Sequence, residues 1–240
     1  MELIRINKFL TEAGYCSRRE ADRLIASNRV TVDRKVPELG NKIPRNAIVH
    51  VDGERVKLQS KDKFVYIAFN KPVGIVCTTD TQKERDNIID FIGHKERIFP
   101  IGRLDKPSEG LIFLTSDGDI VNKILRADNN HEKEYIVKVN RPFDDRFIQR
   151  MSNGVPILGT KTKRCKVERI GKNKFRIILT QGLNRQIRRM CEYLGYEVVK
   201  LKRIRIMNVH LDVPVGHWRD LTPAEMKIIN NLVRDSSKTK

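Results

Sequence analysis

The chain has 240 residues, of which 39% are hydrophobic and 32% are charged, and its formal net charge at pH 7 is +18. This composition supports a folded core and excludes an intrinsically disordered chain, and the apolar runs fall short of the ~20 residues that a membrane span needs. The amino-terminal sequence differs from a signal peptide, so we expect a cytoplasmic protein that is not attached to a membrane.

The positive charge is concentrated in one part of the sequence. Between residues 161 and 205, 15 Lys or Arg residues stand against three acidic residues. Such a cluster indicates a polyphosphate partner, because each phosphate that a protein neutralises releases condensed counterions. A basic surface that serves only solubility is the alternative.

The first 60 residues are predicted to form a small module of two helices and short strands. The first helix has an apolar face made of Ile4, Ile6, Phe9 and Leu10. Ser17 and Glu20 form an S-x-x-E capping box that starts the second helix. Strands follow at 30–32 and 48–51. The second helix would present three arginines to a partner: Arg18, Arg19 and Arg23.

A polar segment, 57–63, is predicted to link this module to a larger domain of residues 63–234, with a polar tail at 235–240. In the larger domain, strands are predicted at 64–69, 111–114, 134–139 and 175–179. Helices are predicted near 120–127, 144–151, 185–194 and 223–233. Strands and helices mix without strict alternation, so we expect an α+β fold with a mixed, mainly antiparallel sheet.

The sequence has none of the usual signatures of a metal or nucleotide site. The four cysteines are far apart and form no C-x-x-C pair, the histidines are scattered, and no glycine-rich phosphate loop occurs. We therefore expect four reduced thiols, no metal and no cofactor. Any chemistry would depend on side chains alone.

The segment 102–118 is the most informative part of the sequence. In an extended backbone Arg103 and Asp105 point to one side and Leu104 to the other. Pro107, Ser108 and Gly110 then form a turn into a buried strand. An arginine beside the carboxylate favours its ionised form. On the residues alone, Asp105 is either a catalytic group or a turn aspartate.

A helix that follows Asn184 combines an apolar face with a basic one. The apolar positions Ile187, Met190, Cys191 and Leu194 recur at helical spacing, and Gly195 is a plausible stop. The opposite face carries Arg185, Arg188, Arg189 and Glu192. Arg188 lies nearest the boundary with the core, where it could reach a carboxylate, while Arg185 could meet phosphate. A solvated basic face is the alternative.

The pattern G-R-L-D-x-x-x-x-G-L-x-x-L-T-x-D-G at 102–118 resembles the active-site motif of the RsuA-type pseudouridine synthases. Three more segments match that family in the same order: 70–74, 133–135 and 182–189. Residues 5–10, 13–21 and 30–32 resemble the S4 RNA-binding domain. Runs at 97–102, 155–159 and 205–209 are most similar to the large-subunit (23S) ribosomal RNA synthase F branch.

The resemblance implies isomerisation of uridine to pseudouridine at one site of 23S ribosomal RNA, without a cofactor. Asp105 would be the essential carboxylate, as nucleophile or as base, and Arg188 its partner. Tyr135 would stack on the target base, although a strand tyrosine can also belong simply to the core. The target nucleotide must leave the RNA stack, and Arg103 would help to fill the vacated space.

The remaining predicted RNA contacts are Leu104, Lys106, Arg185, Gln186, Ile187, Arg189, Lys71 and Arg205, together with the three arginines of the second helix. Transfer RNA stays open as a second substrate, and the resemblance implies a monomer. A noncatalytic RNA-binding or ribosome-assembly protein is the main alternative. A metal-dependent nuclease is disfavoured, because the sequence lacks a carboxylate or histidine cluster. The sequence does not identify the modified uridine.

Overall fold

The computed structural model describes residues 3–58, 64–126, 129–234 and 236. The chain forms two compact units. The first extends to Val65 and also contains Lys95–Arg97 and Ser116–Gly118, and the second contains the rest. Residues 59–63 of the predicted linker, and all of the predicted tail except Ser236, lie outside the described residues.

The first unit contains two helices and two small sheets. Its elements are β1 (Leu3–Arg5), α1 (Ile6–Glu12), α2 (Arg18–Ala26), β2 (Val30–Val32), β3 (Lys42–Pro44), β4 (Val49–Val51) and β5 (Glu54–Val56). β1 pairs with β3, and β4 lies between β2 and β5. Ile4 is buried, as predicted, but it lies in β1 and not in the first helix, so its predicted secondary structure was wrong.

The second helix of this unit begins where the sequence predicts. The Ser17 hydroxyl accepts a hydrogen bond from the Glu20 backbone N–H at 3.2 Å, as expected of an N-cap. The Glu20 carboxylate lies 2.7 Å from Arg23, one turn further along. Ala21, Leu24 and Ile25 are buried on the inner face. The outer face consequently presents the three arginines to solvent.

The second unit is built on one large sheet with helices beside it. Its elements are β6 (Tyr66–Lys71), α3 (Ile88–Ile92), β7 (Phe99–Ile101), β8 (Glu109–Thr115), α4 (Gly118–Leu125), β9 (Lys133–Val139), α5 (Asp145–Ser152), β10 (Pro156–Ile157), β11 (Thr160–Lys161), β12 (Lys166–Gly171), β13 (Lys174–Leu179), α6 (Gln186–Tyr193), β14 (Val198–Ile206), β15 (Val209–His210), β16 (Trp218–Asp220) and α7 (Pro223–Leu232).

The large sheet has nine strands and is mainly antiparallel. Seven follow the order β12-β13-β9-β14-β8-β6-β16, while β15 pairs with β14 and β7 with β8. Among the paired strands of the described residues, β14 and β8 form the parallel pair. The predicted α+β class is confirmed. No helix within the described part of the chain is both long and apolar enough to cross a membrane.

The parallel pair brings two backbones unusually close together. Gly110 in β8 has a φ of +109°, and a Cβ placed there would lie 2.2 Å from the backbone oxygen of Arg203 in β14. Only glycine fits this position without displacing a strand. The motif glycine therefore fixes how the loop before β8 sits against β14.

Helix α6 packs its apolar face on the core, as predicted. Ile187, Met190 and Cys191 are buried and Leu194 is partly buried, in a cluster with residues of α5, β9 and β13. Gly195 follows with a φ of +81° and ends the helix. The amino-terminal end of α6 thereby lies at the same edge of the sheet as the loop before β8, where residues of both line one cleft.

Candidate active site

A cleft of about 350 Å³ lies within the second unit. The loop 102–105 forms one wall, and the loop 181–185 with the start of α6 forms another. Side chains of β9, β13 and β14 form the floor. The cleft brings together eight of the predicted site residues: Arg103, Leu104, Asp105, Tyr135, Arg185, Gln186, Ile187 and Arg188.

Asp105 is held by a turn and by its neighbour in sequence. The Ser108 N–H donates to the Asp105 carbonyl at 2.9 Å, which closes the turn before β8. Leu104 is buried, and its N–H donates to the Cys77 sulfur at 3.4 Å. The Asp105 side chain remains 35% exposed, so a substrate can reach the carboxylate.

Arg188 is a buried cation fixed beside that carboxylate. Its Nη1 donates to the Val198 carbonyl at 3.1 Å, and its Nη2 donates to the Pro107 carbonyl at 3.2 Å and to the Ser108 hydroxyl at 3.1 Å. Its Nε is buried without a hydrogen-bond partner and lies 3.8 Å from Asp105 Oδ2. Burial lowers the pKa of Arg188, and Asp105 opposes this effect.

The arginines nearest the Asp105 carboxylate are not the one that the sequence predicted. Among the described residues, those within 4.0 Å of Asp105 are Arg185 and Arg188. Arg103 is exposed on the cleft wall instead, so its prediction as the cation beside Asp105 was wrong. The physical reason is that the turn at Ser108 directs the carboxylate toward α6. A role for Arg103 toward extruded RNA stays a prediction.

Tyr135 lies at the centre of the cleft floor. It is half-buried on β9, packs against the main hydrophobic cluster and also lines the cleft. Its strand neighbour in β14 is Arg203, whose guanidinium carbon lies 5.9 Å from the centre of the tyrosine ring. A base that entered the cleft would therefore meet an aromatic ring with a cation close to it.

Other predicted residues of α6 shape the loop 181–185. The buried Gln186 accepts a hydrogen bond from the Leu183 N–H at 3.0 Å. Arg189 donates from Nε to the Asn184 carbonyl at 3.1 Å and from Nη2 to its side-chain oxygen at 3.2 Å. These bonds support a structural role, and direct RNA contact by these residues and by Ile187 stays a prediction.

Lys71 and Arg205 are not available to bind phosphate, so both predictions were wrong. Lys71 is fully buried, donates to the Pro72 carbonyl at 2.7 Å, and has a pKa lowered by burial. Arg205 donates to Glu134 at 2.7 Å and to Glu132 at 2.9 Å, and its side chain is only 13% exposed. Burial excludes Lys71 from phosphate, and the carboxylate and carbonyl partners of Arg205 engage its guanidinium nitrogens.

The remaining predicted contacts are on the surface. Lys106 is exposed and lies 3.5 Å from Glu84 and 3.8 Å from Asp86. Arg18, Arg19 and Arg23 are exposed on α2, as the helix prediction requires. RNA binding by these four residues stays a prediction.

The cleft floor contains two cations that the sequence analysis did not include among the site residues. Lys133 and Arg203 are both buried and both line the cleft. Lys133 lies two residues before Tyr135 on one strand, so strand alternation could have placed it on the same face. Arg203 reaches the cleft through the pairing of β14 with β9, and no local sequence pattern predicts that pairing.

A register shift in β14 explains why Arg203, and not Arg205, faces the cleft. Arg203 pairs with Tyr135, whereas Arg205 pairs with Glu134, because Ile204 is an extra residue without a partner on β9. Residues two apart normally share a face, but this bulge places Arg203 on the cleft face and Arg205 on the other. Arg203 rather than Arg205 therefore lines the cleft.

Among the described residues, no group of three or more His, Cys, Asp or Glu side chains is placed to hold a metal ion. All four cysteines are free thiols.

Comparisons with known proteins give two family matches. Residues 65–193 match the family described as RNA pseudouridylate synthase, and residues 4–38 match the S4 domain. The first match contains the cleft residues from Gly102 to Arg188, and the second contains α1 and α2.

Similar proteins cover nearly the whole chain. The Dual-specificity RNA pseudouridine synthase RluF of Salmonella typhi is 57% identical over 97% of this chain and 81% of its own length. The Ribosomal large subunit pseudouridine synthase B of Bacillus subtilis strain 168 is 33% identical over 95% of this chain and 96% of its own length. A crystal structure of a pseudouridylate synthase aligns with a TM-score of 0.67 at 27% identity, covering 94% of this chain and 99% of that one.

Proposed function

The chain belongs to the RNA pseudouridylate synthase family and carries an S4 domain, and from this premise we propose that it isomerises a specific uridine of 23S ribosomal RNA through Asp105. The observation that carries the assignment is the reachable Asp105 carboxylate beside the buried, fixed Arg188 guanidinium, in one cleft with Tyr135. An RNA-binding surface alone would gain nothing from a carboxylate placed among cations.

The reaction breaks the C1′–N1 bond of uridine, turns the base and joins C1′ to C5. The C5 hydrogen then leaves as a proton and N1 takes up a proton, so the product is an isomer of uridine. Positive charge develops at C1′ as the first bond breaks, so a fixed carboxylate near the ribose stabilises the transition state. Asp105 can act as the nucleophile at C1′ or as the base for a sugar proton. Arg188 holds the carboxylate in place, and Tyr135 supports the base by stacking.

The substrate assignment rests on the relatives. One relative is named as a synthase of the large ribosomal subunit, and another is named as a dual-specificity enzyme. We therefore take 23S ribosomal RNA as the first substrate. Transfer RNA, which the sequence left open, is our candidate for a second substrate. Mapping pseudouridines in both RNAs from cells with and without this gene will test the assignment, and unchanged maps would contradict it.

We also propose that the enzyme acts as a monomer in the cytoplasm. Asp105, Tyr135 and Arg188 line one cleft within a single chain, which supports the proposal of a monomer. The molar mass in solution, measured by light scattering with and without RNA, will test this point.

Purified protein should release tritium from ribosomal RNA labelled at uridine C5, in excess chelator and without an added cofactor. The C5 hydrogen must leave when C5 joins C1′, whereas binding or strand cleavage would retain it. Asp105→Asn should abolish the release and leave RNA affinity nearly unchanged. Asp145→Asn, at a carboxylate that is 99% exposed on α5, is the matched control and should behave like the wild type. Substantial release by Asp105→Asn would reject the assignment.

A further inference from the structure

The cleft floor concentrates positive charge on side chains that are almost fully buried. Lys133 and Arg203 are only 7% and 5% exposed, yet both line the cleft. They lie on the adjacent strands β9 and β14, and repulsion from Arg203 adds to the effect of burial on Lys133. The neighbouring acid Glu134 is engaged by Arg176 and Arg205 on the other face of the sheet. Buried cations are costly, so such a pair indicates a functional demand.

One buried nitrogen of these two side chains has no hydrogen-bond partner. Lys133 Nζ donates to the His131 carbonyl at 3.0 Å, and Arg203 Nε donates to the Leu111 carbonyl at 2.6 Å. Arg203 Nη2 is buried and has no hydrogen-bond partner. Because buried donors are nearly always paired, this atom suits an acceptor that arrives with a ligand.

The ligand that fits is the uracil ring, which Tyr135 is placed to hold. The guanidinium carbon of Arg203 lies 5.9 Å from the centre of the Tyr135 ring, and both side chains line the cleft. Lys133 precedes Tyr135 by two residues and faces the same cleft. A base stacked on the tyrosine would therefore bring its ring nitrogens and carbonyl oxygens close to both cations.

We propose that Arg203 and Lys133 stabilise the negative charge that uracil acquires when the C1′–N1 bond breaks. The proposal rests on the proposed function. The electron pair of that bond goes to the base, where N1 and the carbonyl oxygens share the charge. The base then turns, C5 bonds to C1′, the C5 proton leaves, and N1 takes up a proton. In a cleft of low dielectric, fixed cations act strongly on such a developing charge.

This role gives Asp105 and the floor cations opposite tasks. Asp105 acts on the sugar, where electron density is withdrawn, and the cations act on the base, where it accumulates. The cleft thus separates the two charges that the bond cleavage creates. The exposed arginines of the cleft, Arg103 and Arg185, remain available for the RNA backbone.

The test compares Arg203→Met with wild-type enzyme in single-turnover reactions at saturating enzyme, on RNA that carries uridine or 5-fluorouridine at the target site. Fluorine stabilises the uracil anion and so reduces the need for the cations. We expect Arg203→Met to slow the reaction of uridine roughly 100-fold, a typical effect of losing one preorganised group, with RNA affinity unchanged within about 2-fold. With 5-fluorouridine, whose consumption is measured by mass spectrometry, the ratio of the wild-type rate to the variant rate should be about 10-fold smaller.

Two further variants keep the test independent of folding, because Arg203→Met also removes the bond to the Leu111 carbonyl. Lys133→Met should show the same substrate dependence, and Arg203→Lys should retain most of the rate on uridine. Lys200→Met, at an exposed position of the same strand, is the matched control and should react like the wild type. Thermal unfolding will confirm that each variant is folded.

The outcomes separate this inference from the proposed function. Equal deficits on the two substrates, or an unchanged rate on uridine, would overturn the role of the floor cations. A loss that appears as weaker RNA binding would assign them to phosphate instead. Absence of pseudouridine formation by the wild type, or activity in Asp105→Asn, would reject the proposed function itself.

Discussion

The contacts of Arg188 make it a rigid support for Asp105 at the scale of single residues. Three hydrogen bonds to Val198, Pro107 and Ser108 fix the guanidinium, and the Nε that remains lies nearest the carboxylate. A planar group with five donors can make all these contacts at once, whereas an ammonium cannot. A positive charge alone therefore cannot replace the Arg188 guanidinium at this position.

Arg188→Lys should lower the single-turnover rate by about 100-fold or more, although the charge is retained, because the carboxylate loses its fixed neighbour. RNA affinity should change little, since Arg188 is buried. Arg146→Lys, at an exposed position of α5 outside the cleft, is the matched control and should keep most of the rate. A rate for Arg188→Lys close to that of the wild type would contradict the supporting role.

Lys133 should also leave a signature in stability. Burial lowers its pKa from 10.5 to about 8, with a smaller contribution from Arg203. The folded protein therefore releases this proton near pH 8, while the unfolded chain keeps it to about pH 10.5. Between these values the unfolded state binds more protons, so the free energy of unfolding contributed by this group rises with pH.

Urea unfolding at several pH values between 7 and 10 measures this effect. Lys133→Met should lack this rise in the free energy of unfolding. The wild type should therefore become more stable relative to the variant as the pH increases. Lys200→Met should follow the wild type, because that side chain is exposed. Parallel curves for the wild type and Lys133→Met would mean that Lys133 is not desolvated.

The predictability of the site differed from residue to residue. Asp105, Tyr135 and Arg188 belong to short ordered motifs, and the structure brings all three into one cleft. Lys71 carries the same charge as Arg188 and also belongs to one of the motifs, yet its side chain is buried away from solvent. Residue type and spacing identify which side chains converge, but exposure depends on the tertiary packing of strands that are distant in sequence.

At the scale of secondary-structure elements, regular patterns were easy to predict and interrupted ones were not. Helices α5, α6 and α7 have clear apolar faces or capping residues, and their bounds lie within one or two residues of the predicted ones. Strand β14 is the longest in the sheet, yet it was not predicted. Its extra residues Val199 and Ile204 break the alternation of burial that reveals a strand.

Gly110→Ala tests the contact between β8 and β14. The added Cβ would lie 2.2 Å from the Arg203 backbone oxygen, and the φ of +109° would itself be strained. We expect a loss of unfolding free energy of at least about 2 kcal/mol, together with a loss of activity as both sides of the cleft move apart. Gly171→Ala, whose Cβ would meet only Lys174 Cβ at an ordinary 3.4 Å, is the control. Chemical denaturation will measure both, and equal effects would contradict the argument.

At the scale of the whole molecule, the first unit does not end at a single point of the sequence. It includes Lys95–Arg97 and Ser116–Gly118 in addition to the amino-terminal residues. Removing residues 1–60 would therefore take away the packing partners of these later segments. Substitution of surface charges tests the S4 domain more cleanly than truncation does.

Replacing Arg18, Arg19 and Arg23 with alanine should weaken RNA binding and reduce its salt dependence. Each lost phosphate contact lowers the slope of log affinity against log salt by about 0.7 to 0.9, so three contacts set an upper limit of about 2 to 3. The single-turnover rate at saturating enzyme should stay the same. The triple Arg→Lys variant keeps the charges and should retain most of the wild-type slope, and equal slopes for all three proteins would exclude these arginines.

The uneven pairing of β14 also indicates where this strand can change length during evolution. Val199 and Ile204 have no partner on β9, so an in-frame loss of either codon would leave the pairs on both sides in place. Loss of a codon between Lys200 and Arg203 would instead shift those pairs and turn alternate side chains to the opposite face. When homologous sequences are aligned, single-residue gaps in this strand therefore belong at Val199 and Ile204, and a gap elsewhere would mark a relative whose cleft floor is built differently.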